Sequence, residues 1–492
     1  RQQAKGLVTM NQNLINSLNT RQFYIDGAWV NPLGQESVAV INPATEEPMV
    51  QLACAEQGDV NAAVSAAKQA FTKFSNSSIQ ERIELLEAIN AQLILRNDDI
   101  AYAISAEMGA PYDLSISAQA PSGSQHFSEI INILKSHKFS EITAQGTIVK
   151  QEAIGVSALI SPWNWPLNQI ATKVAPALAA GCTMILKPSE LAPLDAIILA
   201  EIMHEVGVPK GVFNLIHGTG AGIGDSLTSH KDVDMVSFTG STRAGIAISH
   251  SCAPSIKRVG LELGGKSAGI IASEVDVDLL AKQVVDSSML NSGQSCNALT
   301  RLLIPKAHYQ EVSTVIAAKV NALIVDLPKN NPDIGPVANK NQYSKIKSMI
   351  QEGINSGATL LCGGNEKPNG LTAGYFIKPT VFGDVTSEMD LAREEIFGPV
   401  LSLMSYDTLE EAIEIANDSD YGLSGYVWHH ENSEAVNIAN QLRTGMVHIN
   451  GKGLDSSAPF GGYKMSGNGR EWGLHGLHEF IEYKSIYGGD IK

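Results

Sequence analysis

From Val156 onward the chain repeats one pattern: a short apolar run, a longer stretch with helical period, then another apolar run. Strands are expected at 154–160, 183–187, 212–216 and 233–239, with helices at 167–180, 192–206, 220–228 and 243–250. Runs this apolar suit strands buried on both faces, and the intervening helices return each strand parallel to the last. The pattern therefore predicts an α/β fold with a mostly parallel sheet. The strand-like segment Leu261-Glu-Leu-Gly-Gly-Lys266 then breaks into two glycines, a natural hinge. A second alternation follows, with strands near 267–272, 299–304, 359–362, 399–405, 423–428 and 446–450. Two α/β domains are expected, the second starting near Gly265, and 492 residues suffice for two or three cores.

Ahead of this region, Phe23-Tyr-Ile-Asp-Gly-Ala-Trp-Val30 alternates around Asp-Gly and reads as a hairpin. From Asp59 the apolar residues Val60, Ala63, Val64, Ala67, Phe71 and Phe74 keep a helical period. Ser78 with Glu81 forms a capping box for a helix whose apolar face is Ile83, Leu86, Ile89 and Leu93, and another helix is expected from Ile100 to Met108 before Gly109. Near the other end, Glu482-Tyr-Lys-Ser-Ile-Tyr487 is strand-like and is expected to pair outside its own domain. Arg1 to Thr9, ahead of Met10, read as a remnant of recombinant expression.

Composition narrows the partners. Acidic residues outnumber basic ones by 51 to 35, giving a net charge of −16, which opposes binding to a phosphate backbone. No apolar run approaches the ~20 residues of a membrane-spanning helix. The five cysteines (Cys54, Cys182, Cys252, Cys296, Cys362) are widely spaced without a C-x-x-C pair, which fits a reducing cytoplasm and no structural zinc.

One cysteine has unusual company. Cys296 lies in Asn291-Ser-Gly-Gln-Ser-Cys-Asn297, small polar residues between a helix-like run (Leu279 to Leu290) and a strand-like one (Leu299 to Ile304). A packing cysteine has apolar neighbours, although most free cysteines are core residues. Upstream, Glu262 is a lone carboxylate on an apolar strand, and Asn164 is an amide in the Pro-bracketed turn Ser161-Pro-Trp-Asn-Trp-Pro166. Thiol, carboxylate and amide are the parts of a thioester mechanism: nucleophile, base for water and oxyanion donor.

A nucleotide signal accompanies them. The glycines Gly218, Gly220, Gly222 and Gly224 do not match G-x-G-x-x-G in any register and alone read as a flexible helix start. The better anion site is Gly240-Ser-Thr-Arg-Ala-Gly245, which follows a strand and opens a helix, so that free N–H groups and the helix dipole face an anion and Ser241 adds a hydroxyl. Lys187 and Glu190 lie at a strand end, where open α/β sheets bind nucleotides, but could equally be solvated loop charges.

With Lys187-Pro-Ser-Glu190, Phe238-Thr-Gly-Ser-Thr242, Glu394-Glu-Ile-Phe-Gly-Pro399 and Pro459-Phe-Gly-Gly-Tyr-Lys-Met-Ser-Gly467, these stretches resemble the NAD(P)-dependent aldehyde dehydrogenase superfamily over almost the whole chain. The resemblance implies a variant Rossmann cofactor domain (10–130 and 152–264), an α/β catalytic domain (265–465) and a small β oligomerisation element with the C-terminal tail (131–151 and 466–492). It implies a homodimer or homotetramer. Lys187 and Glu190 would grip the adenine ribose, favouring NAD while leaving NADP possible. Gly240, Ser241 and Gly245 would receive the diphosphate, Glu395 the nicotinamide ribose, and Phe397 would pack beside the nicotinamide. Ile160, Ser161, Trp163, Ser189, Gly220, Gly224, Phe238 and Leu263 would complete that cleft.

The implied chemistry is attack of the Cys296 thiolate on an aldehyde, with the oxyanion held by Asn164 and the Cys296 N–H. Hydride then passes to NAD, and Glu262-activated water hydrolyses the thioester to a free acid. Lys173 and Glu471 match positions proposed to relay protons from that base, although a salt-bridge role serves equally well. Coenzyme-A-acylating relatives usually lack the carboxylate found at Glu262. The aldehyde pocket would be lined by Trp165, Gln169, Thr172, Ser295, Asn297, Leu454 and Phe460. Thr172 replaces a tryptophan of the betaine-aldehyde box, and the arginine of succinate-semialdehyde enzymes is missing. A medium aliphatic or aromatic aldehyde is therefore expected. The alternatives are a semialdehyde bearing a carboxylate, for which Lys452 is the available cation, and a non-redox cysteine hydrolase or acyltransferase, which would need one of the 12 histidines beside the thiol.

Overall fold

The computed structural model describes residues 13–489. The reading of Arg1 to Met10, and the outermost ends of the expected first domain and tail, lie outside the described residues.

Two large sheets carry the fold. The first has eight strands in the order Ala28–Val30, Phe23–Ile25, Phe213–Leu215, Thr183–Lys187, Val156–Ile160, Met235–Thr239, Arg258–Glu262, Gly467–Asn468. Its five middle strands are parallel, while the Phe23 hairpin and Gly467–Asn468 run antiparallel at the edges. The chain travels outward from Val156–Ile160 in one direction, then returns to lay Met235–Thr239 on its other side. That reversal opens a crevice beyond the carboxyl ends of these two strands, where α/β sheets bind ligands. The second sheet orders Thr359–Cys362, Thr380–Gly383, Val400–Tyr406, Leu299–Pro305, Ser267–Ile271, Ser424–Trp428 and Met446–Ile449, parallel except at the first pair. Glu262 ends a strand of the first sheet and Ser267 begins one of the second, with Gly264-Gly265 between them.

The periodic segments form as expected. Asp26 and Gly27 turn the hairpin with φ of 52° and 76°, the left-handed pair that matches strand twist. Ser78 and Glu81 form the reciprocal capping box at the start of helix Ile79–Leu95. Helix Asn97–Met108 stops at Gly109, left-handed at φ 86°. Helices Pro166–Ala180 and Leu194–Glu205 are buried along nearly their whole length.

Three features differ from the sequence reading. Helix Ala120–Ser136 runs through the expected boundary at residue 131, because its buried residues Phe127, Ile130, Ile131 and Leu134 belong to the first core. Its pattern is diluted by serines and by Gly123, where a Cβ would come within 2.5 Å of the Leu167 side chain, so close packing on helix Pro166–Ala180 requires the glycine. The tail does not join the small β element until Ile481, since Gly467–Asn468 pairs with Leu261 and Glu262 in the first sheet. The element itself is Ser140–Ile142, Ile148–Ala153 and Ile481–Ile486, with the last strand antiparallel to the middle one. Strand Thr380–Gly383 was too short to stand out as a periodic segment.

Candidate active site

Helix Val277–Met289 ends in a turn where Asn291, Ser292 and Gly293 all take left-handed φ (56°, 59° and 70°). At Gly293 a Cβ would meet the Gly398 carbonyl oxygen at 2.1 Å, so this turn can close only on glycine. A buried amide network pins it. Asn291 Nδ2 donates to the Asn164 carbonyl (2.9 Å), Gln119 Nε2 to the same oxygen (3.1 Å), and Asn164 Nδ2 to the Gln294 carbonyl (3.1 Å). The loops carrying Asn164 and Cys296 are thus tied together; buried networks of this kind stiffen a site. The Asn164 amide points at this loop and spends one donor on it.

Cys296 is half-buried, whereas Cys54, Cys182 and Cys252 are buried. Its thiol is pushed well up, by burial first and then by Glu262 and Glu395, against a downward pull from the Asn297 N–H. Burial first, and then these carboxylates, thus favour the neutral thiol over the thiolate.

Glu262 is buried, and both of its carboxylate oxygens lack a hydrogen-bond partner among the described residues. Burial, then Glu471, raise its pKa well above the ordinary carboxylate range, with Lys173 and Arg470 opposing. It faces a small inner cavity shared with Thr172, Ser237, Arg470, Glu471 and Glu479. There Lys173, fully buried, donates to Glu471 Oε1 (2.5 Å) and Ser237 Oγ (3.0 Å).

The crevice of the first sheet is a cleft of about 1240 Å³, open to solvent, walled by Ile160, Ser161, Trp163, Lys187, Ser189, Glu190, Gly220, Gly224, Phe238, Gly240 and Ser241. Lys187 is buried with Glu190 Oε2 at 3.7 Å, and burial lowers its pKa while Glu190 raises it. Gly220 and Gly224 start helix Gly220–Thr228, and a Cβ on either would meet nothing within 4 Å, so the helix presents bare backbone to the cleft. One expected detail differs: the Gly240 N–H is not free, since it donates to the Glu262 carbonyl (3.0 Å). The Ser241 hydroxyl caps helix Thr242–Cys252 by accepting from the Ala244 N–H, which leaves its own proton to donate. The first-turn donors left for an anion are those of Thr242 and Arg243. Gly245 and Leu263 also stand back from the wall: a Cβ at Gly245 would strike Leu263 Cδ2 at 2.7 Å, so this glycine serves helix packing. Glu395 Oε1 accepts from the Gly265 N–H (3.0 Å), and Phe397, at φ 59°, stands edge-on to Trp163 with ring centres 5.5 Å apart.

Cys296 lies in the wall of a second pocket, also open to solvent, with Trp165, Gln169, Ser295, Asn297, Leu454 and Phe460. Trp165 Nε1 donates to Ser295 Oγ (2.8 Å), which locks the indole beside the cysteine loop. Thr172 is not in this wall. Its hydroxyl bonds the Gln169 carbonyl (3.0 Å) and Glu471 Oε2 (3.3 Å), so it faces the inner cavity, one helical step away from Gln169.

Family comparison decides the class. The Aldehyde dehydrogenase family model matches residues 29–486. The chain belongs to the aldehyde dehydrogenase family. It is 52% identical to 3-succinoylsemialdehyde-pyridine dehydrogenase of a Pseudomonas species, over 95% of this chain and 98% of that one. Among solved structures it resembles a mutant of aldehyde dehydrogenase C from Pseudomonas syringae in complex with NAD+ and octanal, at 43% identity, TM-score 0.95 and coverage of 96% and 99%. An aldehyde dehydrogenase from Bartonella henselae is 46% identical, with TM-score 0.93 and coverage of 95% and 99%. As a member of this family the protein is an oxidoreductase of the aldehyde group.

The aldehyde dehydrogenase pocket also contains residues that the sequence did not single out. Trp472 stacks on Phe460 (4.8 Å, 28°), and its backbone takes a left-handed φ of 70°. Tyr426 donates to the Asn297 carbonyl (2.6 Å) and stacks on His448 (4.7 Å, 16°), and both rings line the pocket. Tyr426 and His448 sit opposite one another on paired strands, a contact visible only once strand order is known. Lys452 is an exposed residue at the pocket rim. No described helix is long and apolar enough to cross a membrane.

Proposed function

We propose that the protein oxidises a medium-chain aliphatic or aromatic aldehyde to its carboxylic acid, with Cys296 as nucleophile, Asn164 and the Cys296 N–H as oxyanion donors, and Glu262 as the base for water. The observation that carries this reading is the pairing of a half-buried Cys296 in an apolar pocket with a buried, unpartnered Glu262 whose pKa is raised. A carboxylate so perturbed is suited to accept a proton near neutrality. Because the thiol is also pushed up, its proton has to leave as the aldehyde is attacked. Removal of an oxyanion donor elsewhere costs about 3–4 kcal/mol, which sets the scale for Asn164.

The large cleft fits a dinucleotide. Bare glycine backbone at Gly220 and Gly224 leaves a slot for a flat ring, Lys187 and Glu190 suit ribose hydroxyls, and the start of helix Thr242–Cys252 suits a diphosphate. Glu190 opposes a 2′-phosphate, which favours NAD over NADP. Bound there, NAD+ supplies the two-electron acceptor that aldehyde oxidation requires. Phe397 and Trp163 would shield the nicotinamide end, and Glu395 would hold its ribose.

Octanal in the complex of the Pseudomonas syringae neighbour and the pyridine in the relative's name both agree with walls of Trp165, Phe460 and Trp472. A carboxylate-bearing semialdehyde is less suited, since Lys452 shares the rim with Asp286. The strands Ser140–Ile142, Ile148–Ala153 and Ile481–Ile486 are proposed to join subunits of a homo-oligomer, with the exposed Tyr483 and Ile486 on their surface. The test of the central reading is NADH appearance from NAD and a panel of aldehydes, beside Cys296→Ala. Turnover on octanal that vanishes in the variant is expected; wild type that binds NAD yet oxidises no aldehyde would overturn it.

A further inference from the structure

Hydrolysis of the thioester releases a proton onto a carboxylate that is sealed from solvent. The inner cavity contains three acids: Glu262 and Glu471, both buried, and Glu479, which is only half-buried. Glu479 is seated by two glycines. A Cβ at Gly469 would come within 2.8 Å of its carboxylate oxygens, and a Cβ at Gly260 within 3.2 Å of Oε2. Gly260 and Glu262 are alternate residues of one strand and so share a face, with their positions ~7 Å apart. The Glu479 carboxylate therefore lies over the same face of the sheet as the base, one side-chain step along. Ser237 pairs with Gly260 on the neighbouring strand, and its hydroxyl takes a proton of Lys173, which in turn holds Glu471. The sealed base, Ser237, Glu471 and the half-exposed acid thus line one and the same cavity.

We propose that Glu479 is the proton-exit group of this aldehyde dehydrogenase, passing to solvent the proton that Glu262 takes from the hydrolytic water. The step balances without another reactant. Water loses a proton to the Glu262 carboxylate as its oxygen bonds the thioester carbon and the Cys296 sulfur departs. The Glu262 carboxyl then gives that proton, through the Lys173–Glu471 pair, to the Glu479 carboxylate. Glu479 releases it to bulk water, and each carboxylate is restored. The charged groups that face Glu479 are Arg258, Lys173 and Glu471, with the Arg470 N–H donating to Oε1 at 3.0 Å. Burial raises its pKa and Arg258 moderates the rise, so its affinity for a proton moves toward that of Glu262.

This inference rests on the proposed role of Glu262, and its test separates the two. Preformed acyl-enzyme is mixed with water in single-turnover experiments, and decay of the thioester is followed in wild type, Glu479→Gln, Glu479→Asp and Glu262→Gln. Glu479→Gln keeps the acceptor for the Arg470 N–H but loses basicity. Its expected signature is an unchanged NADH burst, thioester decay slowed about tenfold, a larger solvent isotope effect, and recovery with small buffers such as imidazole. Glu479→Asp should keep most of the rate. Decay at the wild-type rate in Glu479→Gln, or burst and decay slowed alike without buffer rescue, overturns the proton-exit role. Decay that is normal in Glu262→Gln overturns the underlying reading instead.

Discussion

The nucleotide cleft and the aldehyde pocket are made of different materials. The cleft has much bare backbone, at Gly220 and Gly224 and at the strand ends Ile160 and Thr239, beside the side chains of Trp163, Lys187, Glu190 and Phe238. The pocket is chiefly side chain, with Trp165, Phe460, Trp472, Tyr426 and His448 drawn from a turn, two strands and two loops. A backbone site recognises a ligand common to many enzymes, because N–H groups do not change with sequence. A side-chain site tunes which aldehyde enters. The contrast teaches that substitutions should separate cofactor affinity from aldehyde preference, and the following variants press on that separation.

The largest effect falls on the proposed nucleophile in the wall of the aldehyde pocket. Cys296→Ala should reduce turnover at least ~10⁴-fold, as loss of a catalytic nucleophile does, while NAD binding by fluorescence titration stays as in wild type. Weakened NAD binding would mean that the two sites are less independent than their construction suggests. Glu262→Gln should slow steady-state turnover by roughly 10²–10⁴. It should also remove the acid limb of the pH profile. Because the folded pKa of Glu262 is raised, its active carboxylate form is lost as pH falls through a value above the ordinary carboxylate range. An unchanged acid limb would assign that limb to another group.

Gly224→Leu tests the backbone side alone. The helix should tolerate leucine, which outranks glycine in helix propensity by ~1 kcal/mol, but the side chain would project into the cleft. The NAD dissociation constant should rise about tenfold or more, equivalent to ~1.4 kcal/mol, with the octanal KM unchanged. On the side-chain side, Phe460→Ala removes one face of the pocket and its stack on Trp472. The KM for octanal should rise severalfold, about 1–2 kcal/mol of apolar contact, while the NAD KM holds. A change in both constants for either variant would break the comparison. Smallest of all, Glu190→Gln should improve NADP relative to NAD by about tenfold or less, since one partly screened charge is removed.

The two mostly parallel sheets and the candidate chemical groups were legible in the sequence alone. Buried parallel strands must be short and apolar, so Val156–Ile160, Thr183–Lys187 and Met235–Thr239 could be read directly from composition. Cys296, Glu262 and Asn164 stood out because each is the wrong kind of residue for its surroundings. Family resemblance then supplied roles for residues such as Lys187 and Glu395 that local pattern left ambiguous. Tertiary structure decided what depends on direction and proximity. Thr172 and Gln169 are three apart on one helix, yet only Gln169 meets the aldehyde pocket, because Glu471 from the far end of the chain draws Thr172 inward. Gly245, part of an anion-binding motif by spacing, lies close against Leu263. The upward shift of the Cys296 thiol likewise follows from its surroundings, burial first and then Glu262 and Glu395. Spacing records which groups a chain carries; the sign of a field and the face of a helix arise only when distant segments are brought within a few ångströms.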